Sequence, residues 1–158
     1  MAVRRYIFLI AAILLSAGVM AETAIESCDA LFSAKGSHGL LIIERAGQVV
    51  GTSKVGHEIE GGVFSNDDSL LIIYGLPRNV SRRSPQRTFL SIFRVNRVSL
   101  LVKEEYESRV YGVSFSVDQR VAVVDSRFGV DVIDLVKRRS TFYGLAYTPD
   151  FATQKCEK

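Results

Sequence analysis

The chain has 158 residues, of which 47% are hydrophobic, and this is enough apolar material for one domain with its own core. Lysine and arginine total 20 against 17 aspartates and glutamates. Two of the basic residues, Arg4 and Arg5, lie in an N-terminal leader, and 20 minus 2 leaves 18 against 17. A balance this close to neutral excludes net charge as an argument for nucleic-acid binding.

Residues 1–21 have the pattern of a secretory signal peptide. Arg4 and Arg5 form a basic start, residues 6–15 are apolar, and residues 19–21 offer small side chains for cleavage. The apolar run is short for a membrane span, and an uncleaved amphipathic anchor is the alternative. We therefore predict cleavage near Ala21, a single periplasmic or secreted domain over residues 22–158, and no stable membrane anchor afterwards.

A short sequence motif, which we call the phrase, recurs four times and divides the chain into units. Its aromatic residues are 32, 51 and 32 positions apart, at Phe32, Phe64, Phe115 and Tyr147. The clearest copies are residues 61–67, 112–118 and 144–150, and residues 30–35 are a worn copy. Such spacing indicates stacked supersecondary units. Serine and aspartate in the phrase favour a turn, because their side chains bond to nearby backbone.

Apolar runs between the phrases predict β-strands. Short runs bounded by glycine or polar residues suit buried strands, and residues 22–158 show no strong 3.6-residue period. The predicted strands are residues 40–43, 70–74, 89–95, 98–102, 120–124 and 129–135. For residues 25–34 we favour strand or coil over a short helical turn. A last strand through Tyr147 is predicted to return to the first unit.

The order of phrase, apolar strand, turn and further strand resembles the blades of β-propellers over most of residues 29–150. In those blades a phrase such as Phe64-Ser65-Asn66-Asp67 precedes an apolar strand, as it does here. A closed propeller usually has at least four blades of four strands. Residues 22–158 supply three, so the resemblance implies an all-β fold of three small antiparallel sheets, an incomplete propeller.

Two cysteines, Cys28 and Cys156, lie near opposite ends of the predicted domain. An even number of cysteines in an exported chain favours a disulfide, and two free thiols are the alternative. Neither cysteine has the neighbours expected of a nucleophile or a metal ligand. We therefore predict a bond between the first and last units.

An arginine-rich insertion between Phe64 and Phe115 is our candidate for partner binding. It separates two predicted strands that a two-residue turn could join, and long loops on a β scaffold often carry function. Guanidinium groups can bind a partner's carboxylates in bidentate fashion. A solvated loop without function is the alternative. The candidate partner-binding residues are Arg78, Ser81, Arg82, Arg83, Ser84 and Arg87.

The remaining polar residues form no catalytic or metal-binding pattern. His38 and His57 lack ligand-spaced partners, no aspartate series fits the calcium-loop pattern, and no serine lies in a Gly-x-Ser-x-Gly motif. We predict no enzyme activity, no cofactor and no metal site. Four aromatic residues are candidates either for an interface or for the core: Tyr106, Tyr111, Phe142 and Tyr143.

Three classes of function fit an exported β domain of this kind. The architecture resembles that of immunity proteins of type VI secretion peptidoglycan amidases, some of which are small propeller-like proteins. That resemblance implies a protein partner, a secreted peptidoglycan hydrolase, and a role as its inhibitor. A scaffold or binding module of the cell envelope is the alternative. A small hydrolase is the third class and the least favoured, because no nucleophile is paired with a base.

Overall fold

A computed structural model describes residues 23–79 and 87–156 of the chain. The regular structure of this part is all β apart from one 3-10 turn, Val95–Arg97. Its twelve strands form three four-stranded antiparallel sheets, which we call blades 1, 2 and 3. The predicted fold class is therefore confirmed. The described residues include no helix long and apolar enough to cross a membrane, and the predicted leader lies outside them.

Each blade is a meander in which consecutive strands pair. Blade 1 contains β1 Ala24–Glu26, β2 Phe32–Ser37, β3 Leu40–Arg45 and β4 Gln48–Lys54. Blade 2 contains β5 Gly61–Phe64, β6 Leu70–Gly75, β7 Thr88–Arg94 and β8 Ser99–Tyr106. Blade 3 contains β9 Val110–Phe115, β10 Val121–Ser126, β11 Gly129–Asp134 and β12 Arg139–Gly144. The outer strands β4 and β12 were not predicted from the sequence.

The first strand of each blade lies on the inside of the stack, where β1 packs beside β5 and β5 beside β9. Two hydrophobic cores result, one on each side of blade 2. The core between blades 1 and 2 includes Ile25, Leu41, Ile43, Phe64, Leu71, Ile73 and Phe93. The core between blades 2 and 3 includes Ile72, Leu90, Ile92, Phe115, Ala122, Val124 and Ile133.

Phe64 and Phe115 occupy equivalent core positions, as the repeated phrase predicts. Each is the last residue of its blade's first strand, and each is only 1% exposed. Phe64 lies in the core shared with blade 1, and Phe115 lies in the core shared with blade 2. The aromatic ring of the phrase therefore packs against the preceding blade.

The turn after each of these first strands has one geometry in all three blades. In blade 2 the Ser65 hydroxyl donates to Asp67 Oδ1 at 2.7 Å and accepts from the Leu70 amide at 2.9 Å. The same bonds recur at Ser116 and Asp118, at 2.6 Å and 3.1 Å. The fourth residue of each turn is left-handed, with φ between 56° and 58° at Ala30, Asp68 and Gln119.

The blade 1 copy of this turn is Ser27-Cys28-Asp29, so the prediction that residues 30–35 form the worn copy was wrong. Ser27 donates to Asp29 Oδ1 at 2.7 Å and accepts from the Phe32 amide at 2.9 Å, as its counterparts do. Glu26 stands where Phe64 and Phe115 stand in the other blades, and it is exposed. The phrase is hard to find because, within residues 23–79 and 87–156, no blade precedes blade 1 to bury an aromatic ring there.

The C-terminal tail crosses all three turns, and it ends at the predicted disulfide. The tail pairs with blade 3, where the Gln154 amide donates to Phe115 O at 2.8 Å. The Gln154 side chain then accepts from the Asn66 amide of blade 2 at 2.8 Å. Cys156 bonds to Cys28 of blade 1 across 128 residues of sequence, with a Cα–Cα distance of 5.2 Å. The disulfide prediction is confirmed.

Tyr147 lies in no strand, so the prediction of a returning strand at this residue was wrong. It stacks on Tyr143 of β12 with ring centroids 3.9 Å apart. The return to blade 1 is made by the later residues 152–156, which form only an isolated bridge between Thr153 and Ser116. This segment differs from the three blade turns in two ways. It contains Pro149, and Thr148 does not form the hydrogen bonds that Ser27, Ser65 and Ser116 form.

Candidate functional site

The arginine-rich loop joins β6 to β7 at the end of the stack opposite the Ser-x-Asp turns. The turns that join the second and third strands of the other blades are at the same end, because successive hairpins alternate between ends. We call this end the loop rim. Its described residues include His38 and Gly39 of blade 1, residues 77–79 and Arg87 of blade 2, and Arg127 and Phe128 of blade 3.

Arg78 fixes the beginning of the loop to blade 1 and to the segment that joins the first two blades. Its Nε lies 3.1 Å from Glu58 Oε1, and its Nη1 donates to His38 O at 2.6 Å. Gly39 permits this approach, since a Cβ there would collide with Arg78 Nη1 and since its φ of 82° suits glycine. This predicted partner-binding residue is therefore already bound within the chain.

Arg87 fixes the end of the loop to the outer strand of its own blade. Its Nη1 lies 2.6 Å from Glu105 Oε1 on β8, and the two side chains are 41% and 42% exposed. Its Nε is buried without an acceptor among the described residues. The remaining candidates, Ser81, Arg82, Arg83 and Ser84, lie outside the described residues. Their assignment to partner binding stays a prediction.

A histidine–serine pair, which no sequence pattern predicts, holds the segment between β4 and β5 against blade 2. His57 Nδ1 lies 2.7 Å from Glu58 O, and Nε2 lies 3.0 Å from Ser91 Oγ on β7. The carbonyl can only accept, so Nδ1 carries the proton and Nε2 accepts from the serine. Burial lowers the pKa of His57. Because His57 and Ser91 are 1% and 3% exposed, this pair does not face solvent.

A second polar contact joins blades 2 and 3. The Tyr106 hydroxyl of β8 donates to Asp131 Oδ2 of β11 at 2.9 Å. Burial, followed by the charge of Asp131, raises the pKa of Tyr106 far above its ordinary value. Burial also raises the pKa of Glu104, again with Asp131 as the second cause. Tyr106 therefore contacts the neighbouring blade. Of the two roles considered for it, core residue or interface residue, the structure supports the core.

The other three candidate aromatics are more exposed and lie on blade 3. Tyr111 is 61% exposed, Phe142 is 59% exposed and Tyr143 is 36% exposed. Tyr111 also lines a small open cleft of about 230 Å³ between blades 2 and 3, together with Glu60, Tyr74, Arg109 and Val110. Exposed aromatic side chains of this kind are typical of protein contact surfaces.

No family model matches the chain, and no curated protein matches it either. Solved structures do resemble its fold. The hydrazine synthase of Kuenenia stuttgartiensis aligns over 81% of this chain and 40% of its own length, with 18% identity and a TM-score of 0.56. The WD40 repeats of RRP9 align over 76% of this chain and 38% of their own length, with 12% identity and a TM-score of 0.55.

A eukaryotic initiation factor gives a similar result, with 13% identity, a TM-score of 0.57, and coverage of 77% of this chain and 31% of its own length. At these identities the likeness concerns the fold alone. The chain therefore has a propeller-like fold and spans less than half the length of the structures it resembles. The predicted resemblance to propeller blades is confirmed.

Among the residues that the structure describes, no group of three or more histidine, cysteine, aspartate or glutamate side chains is placed to hold a metal ion. Several of the described polar contacts instead connect one blade to another or hold a loop in place. Arg78, His57 and Tyr106 each bridge two elements that are distant in sequence. At this site the described contacts form a frame that holds the two ends of the arginine-rich loop, Arg78 and Arg87.

Proposed function

We propose that this chain is a protein-binding module and that the loop rim is its contact surface. One observation carries the proposal: both ends of the arginine-rich loop are tied to the frame, by Arg78 with Glu58 and by Arg87 with Glu105. A loop held at both ends loses less conformational freedom on binding than a loop that is free at its base. Propellers commonly use the edge of the stack in this way to bind other molecules.

The pairing of Arg78 and Arg87 changes the roles assigned to the six candidate residues. These two arginines already have carboxylate partners, so their main role is to anchor the loop. We assign contact with a partner's carboxylates to Arg82 and Arg83, with hydrogen bonds from Ser81 and Ser84. Tyr111 and Phe128 of blade 3 are exposed on the same side of the stack and extend the surface.

The more specific proposal is that the partner is a secreted peptidoglycan hydrolase and that this chain is its periplasmic inhibitor, an immunity protein. The Cys28–Cys156 bond supports it, since disulfides persist mainly in oxidising compartments. The leader pattern of residues 1–21 points to the same compartment. A cell-envelope scaffold of the same fold is the alternative, and it differs in leaving the activity of its partner unchanged.

The test is a direct binding measurement against a panel of purified secreted peptidoglycan amidases. For any amidase that binds, Arg82→Ala with Arg83→Ala should weaken binding by about tenfold or more, mainly through a slower association rate. The control is Arg94→Ala with Arg97→Ala, which removes two exposed arginines at the opposite end of blade 2. Deletion of residues 79–86 without any change in affinity would remove the loop from the interface.

Inhibition separates the two specific functions. An inhibitor should abolish amidase activity at a one-to-one ratio, whereas a scaffold binds and leaves the activity intact. For proteins other than amidases, a photo-crosslinking residue at position 82 in periplasmic extract identifies what touches the loop. Crosslinking only to envelope proteins without hydrolase activity contradicts the inhibitor proposal and supports the scaffold.

A further inference from the structure

The outer strand of blade 3, β12, differs from the outer strands of the other two blades. All six residues of Arg139–Gly144 are exposed. The strand pairs with β11 through six consecutive residues without a register shift. By contrast, both β4 and β8 have a register shift against their inner neighbours. Bulges of this kind protect exposed strands from pairing with other chains, and β12 lacks one.

The side chains of β12 also offer little protection. Charged residues discourage pairing at an exposed edge, and β8 has three in succession at Lys103, Glu104 and Glu105. The only charge in β12 is at its first residue, Arg139, and the centre of the strand is aromatic. Phe142 is 59% exposed, and its ring lies over Gly129, where a Cβ would come within 2.9 Å of Cζ.

The backbone of β12 has hydrogen-bonding groups that point away from blade 3. The Leu135 amide donates to Arg120 O at 2.9 Å, so this pair is a bonded one. Bonded pairs alternate along antiparallel strands, and the alternation assigns Val132 to bonding with Thr141 of β12. The N–H and C=O groups of Ser140 and Phe142 consequently face the open side of the strand.

The charge around β12 indicates which partner suits it. Arg138 and Arg139 are exposed at the start of the strand, and within the described residues neither forms an ion pair with a carboxylate. The nearest acid of the turn, Asp134, lies 3.5 Å from Lys137 instead. A strand added antiparallel to β12 would place its C-terminal end beside these two arginines.

We propose that β12 is a docking strand to which an extended segment of a protein partner adds antiparallel, as a fifth strand of blade 3. The segment has an apolar side chain against Phe142 and acidic side chains at its C-terminal end, beside Arg138 and Arg139. Backbone bonds to Ser140 and Phe142 supply affinity, and the two arginines supply the direction of binding. This surface is separate from the loop rim and does not depend on its partner.

The probes are two fluorescent synthetic peptides of about eight residues, the usual length of a strand. Both alternate valine and threonine; one ends in two aspartates and the other in two lysines. The aspartate peptide should bind the full mature domain at least about tenfold more tightly, and the difference should shrink as salt is added. Arg138→Glu with Arg139→Glu should reverse the preference. Equal binding of both peptides overturns the proposal.

Proline substitution tests the backbone contact, because proline at an edge removes an N–H without disturbing the inner ladder when that N–H faces outward. Ser140→Pro should weaken binding of the aspartate peptide by about tenfold or more. Thr52→Pro is the matched control, since the Val55 amide donates to Gly39 O at 2.8 Å and the alternation turns the Thr52 amide outward on β4. An equal loss in both variants contradicts docking at β12.

Amide hydrogen exchange on the unmodified protein makes the test independent of whether Ser140→Pro folds. The aspartate peptide should slow exchange at Ser140 and Phe142 and leave Thr52 unchanged. Protection elsewhere without protection at these two amides overturns the proposal. If the unmodified protein is dimeric and Ser140→Pro makes it monomeric, the strand pairs with a second copy of the chain, and the proposal of an acidic partner segment is wrong.

Discussion

Blade 1 and blade 3, at the two ends of the described stack, each have one face that no other blade covers, and the two faces differ in composition. In a closed ring every blade is covered on both faces, whereas among the described residues no blade precedes blade 1 and none follows blade 3. The open face of blade 1 is mainly polar. The open face of blade 3 has four valines, at positions 121, 123, 130 and 132, with polar side chains beside them.

On blade 1 the strand register places polar side chains on the uncovered face. Glu26, Ser33 and Glu44 are cross-strand neighbours there, and the adjacent row contains Lys35 and Thr52. Lys35 and Glu44 form an ion pair at 2.8 Å. Such a face is stable in water without a cover, as is typical of the capping units of repeat proteins.

On blade 3 the equivalent face has a central group of valines with Ser114, Asp125 and Asp134 beside them. Val123 and Val130 are only 4% and 8% exposed, although no further sheet of the described structure packs on this side. We infer that the tail buries them, because Tyr147 stacks on Tyr143 and because Phe151 lines the same open cleft as Val121. A sequence can therefore end a stack with a polar face or with a folded-back segment.

The strongest test of this comparison uses the position before each Ser-x-Asp turn. Phe64→Ala or Phe115→Ala should lower the free energy of unfolding by about 3–5 kcal/mol, because each ring is fully buried against the preceding blade. Glu26→Ala, at the same position of blade 1, should change it by less than about 0.5 kcal/mol. Urea unfolding measures all three, and similar losses in the three variants would contradict the assignment of the blade 1 face as an open end.

The disulfide has the next largest expected effect. Cys28→Ser with Cys156→Ser should lower the free energy of unfolding by about 2–4 kcal/mol, because the bond closes a loop of 128 residues in the unfolded chain. Loss of the bond should also loosen the tail and expose the valines of blade 3, which a hydrophobic dye would report. Unfolding in denaturant with and without reductant checks this, and an unchanged dye signal would show that the tail stays in place without the bond.

The cover itself can be weakened at one side chain. Phe151→Ala should cost about 1 kcal/mol, since this ring is only half-buried on blade 3. It should increase dye binding at the tail, whereas Leu40→Ala on blade 1, where the side chain is 38% exposed, should not. Dye fluorescence on the two variants at equal concentration makes the comparison, and equal increases would argue against a tail-specific cover.

The smallest effect is expected from the ion pair on blade 1. Glu44→Gln should lower the free energy of unfolding by about 0.5 kcal/mol, because Lys35 and Glu44 are 37% and 20% exposed and such pairs contribute little. The difference from the unmodified protein should vanish as salt is raised. A loss several times larger would mean that the polar face depends on this pair.

The sequence predicted the parts of the fold that follow from local pattern. Apolar runs located the inner strands, and the phrase at Phe64 and Phe115 located two of the three blade turns. The assignment of further copies of the phrase at Phe32 and Tyr147 was wrong. Those copies were matched by their aromatic residue alone, without regard to what each ring must pack against. The feature that the three blade turns share is the Ser-x-Asp hydrogen bond, and Ser27 and Asp29 form it beside the exposed Glu26.

The candidate site was less predictable, because its contacts join residues far apart in sequence. Sequence reading placed Arg78 and Arg87 at the ends of a loop, yet their partners Glu58 and Glu105 come from other elements through the strand register. The pairing of His57 with Ser91 has the same origin. The exposure of β12 could not be predicted from its own residues either. It follows from the position of β12 as the outer strand of blade 3.

The bond between Cys28 and Cys156 also sets an order of events for the newly made chain. Blades 1 and 2 can form their shared core as soon as they are synthesised, but the thiol of Cys28 has no partner until the segment with Cys156 has crossed the turns of blades 3 and 2. Contacts over such a sequence distance form late in folding. Oxidation of this pair therefore reports that the stack is complete, and a chain stopped before its tail would still carry a free thiol in blade 1.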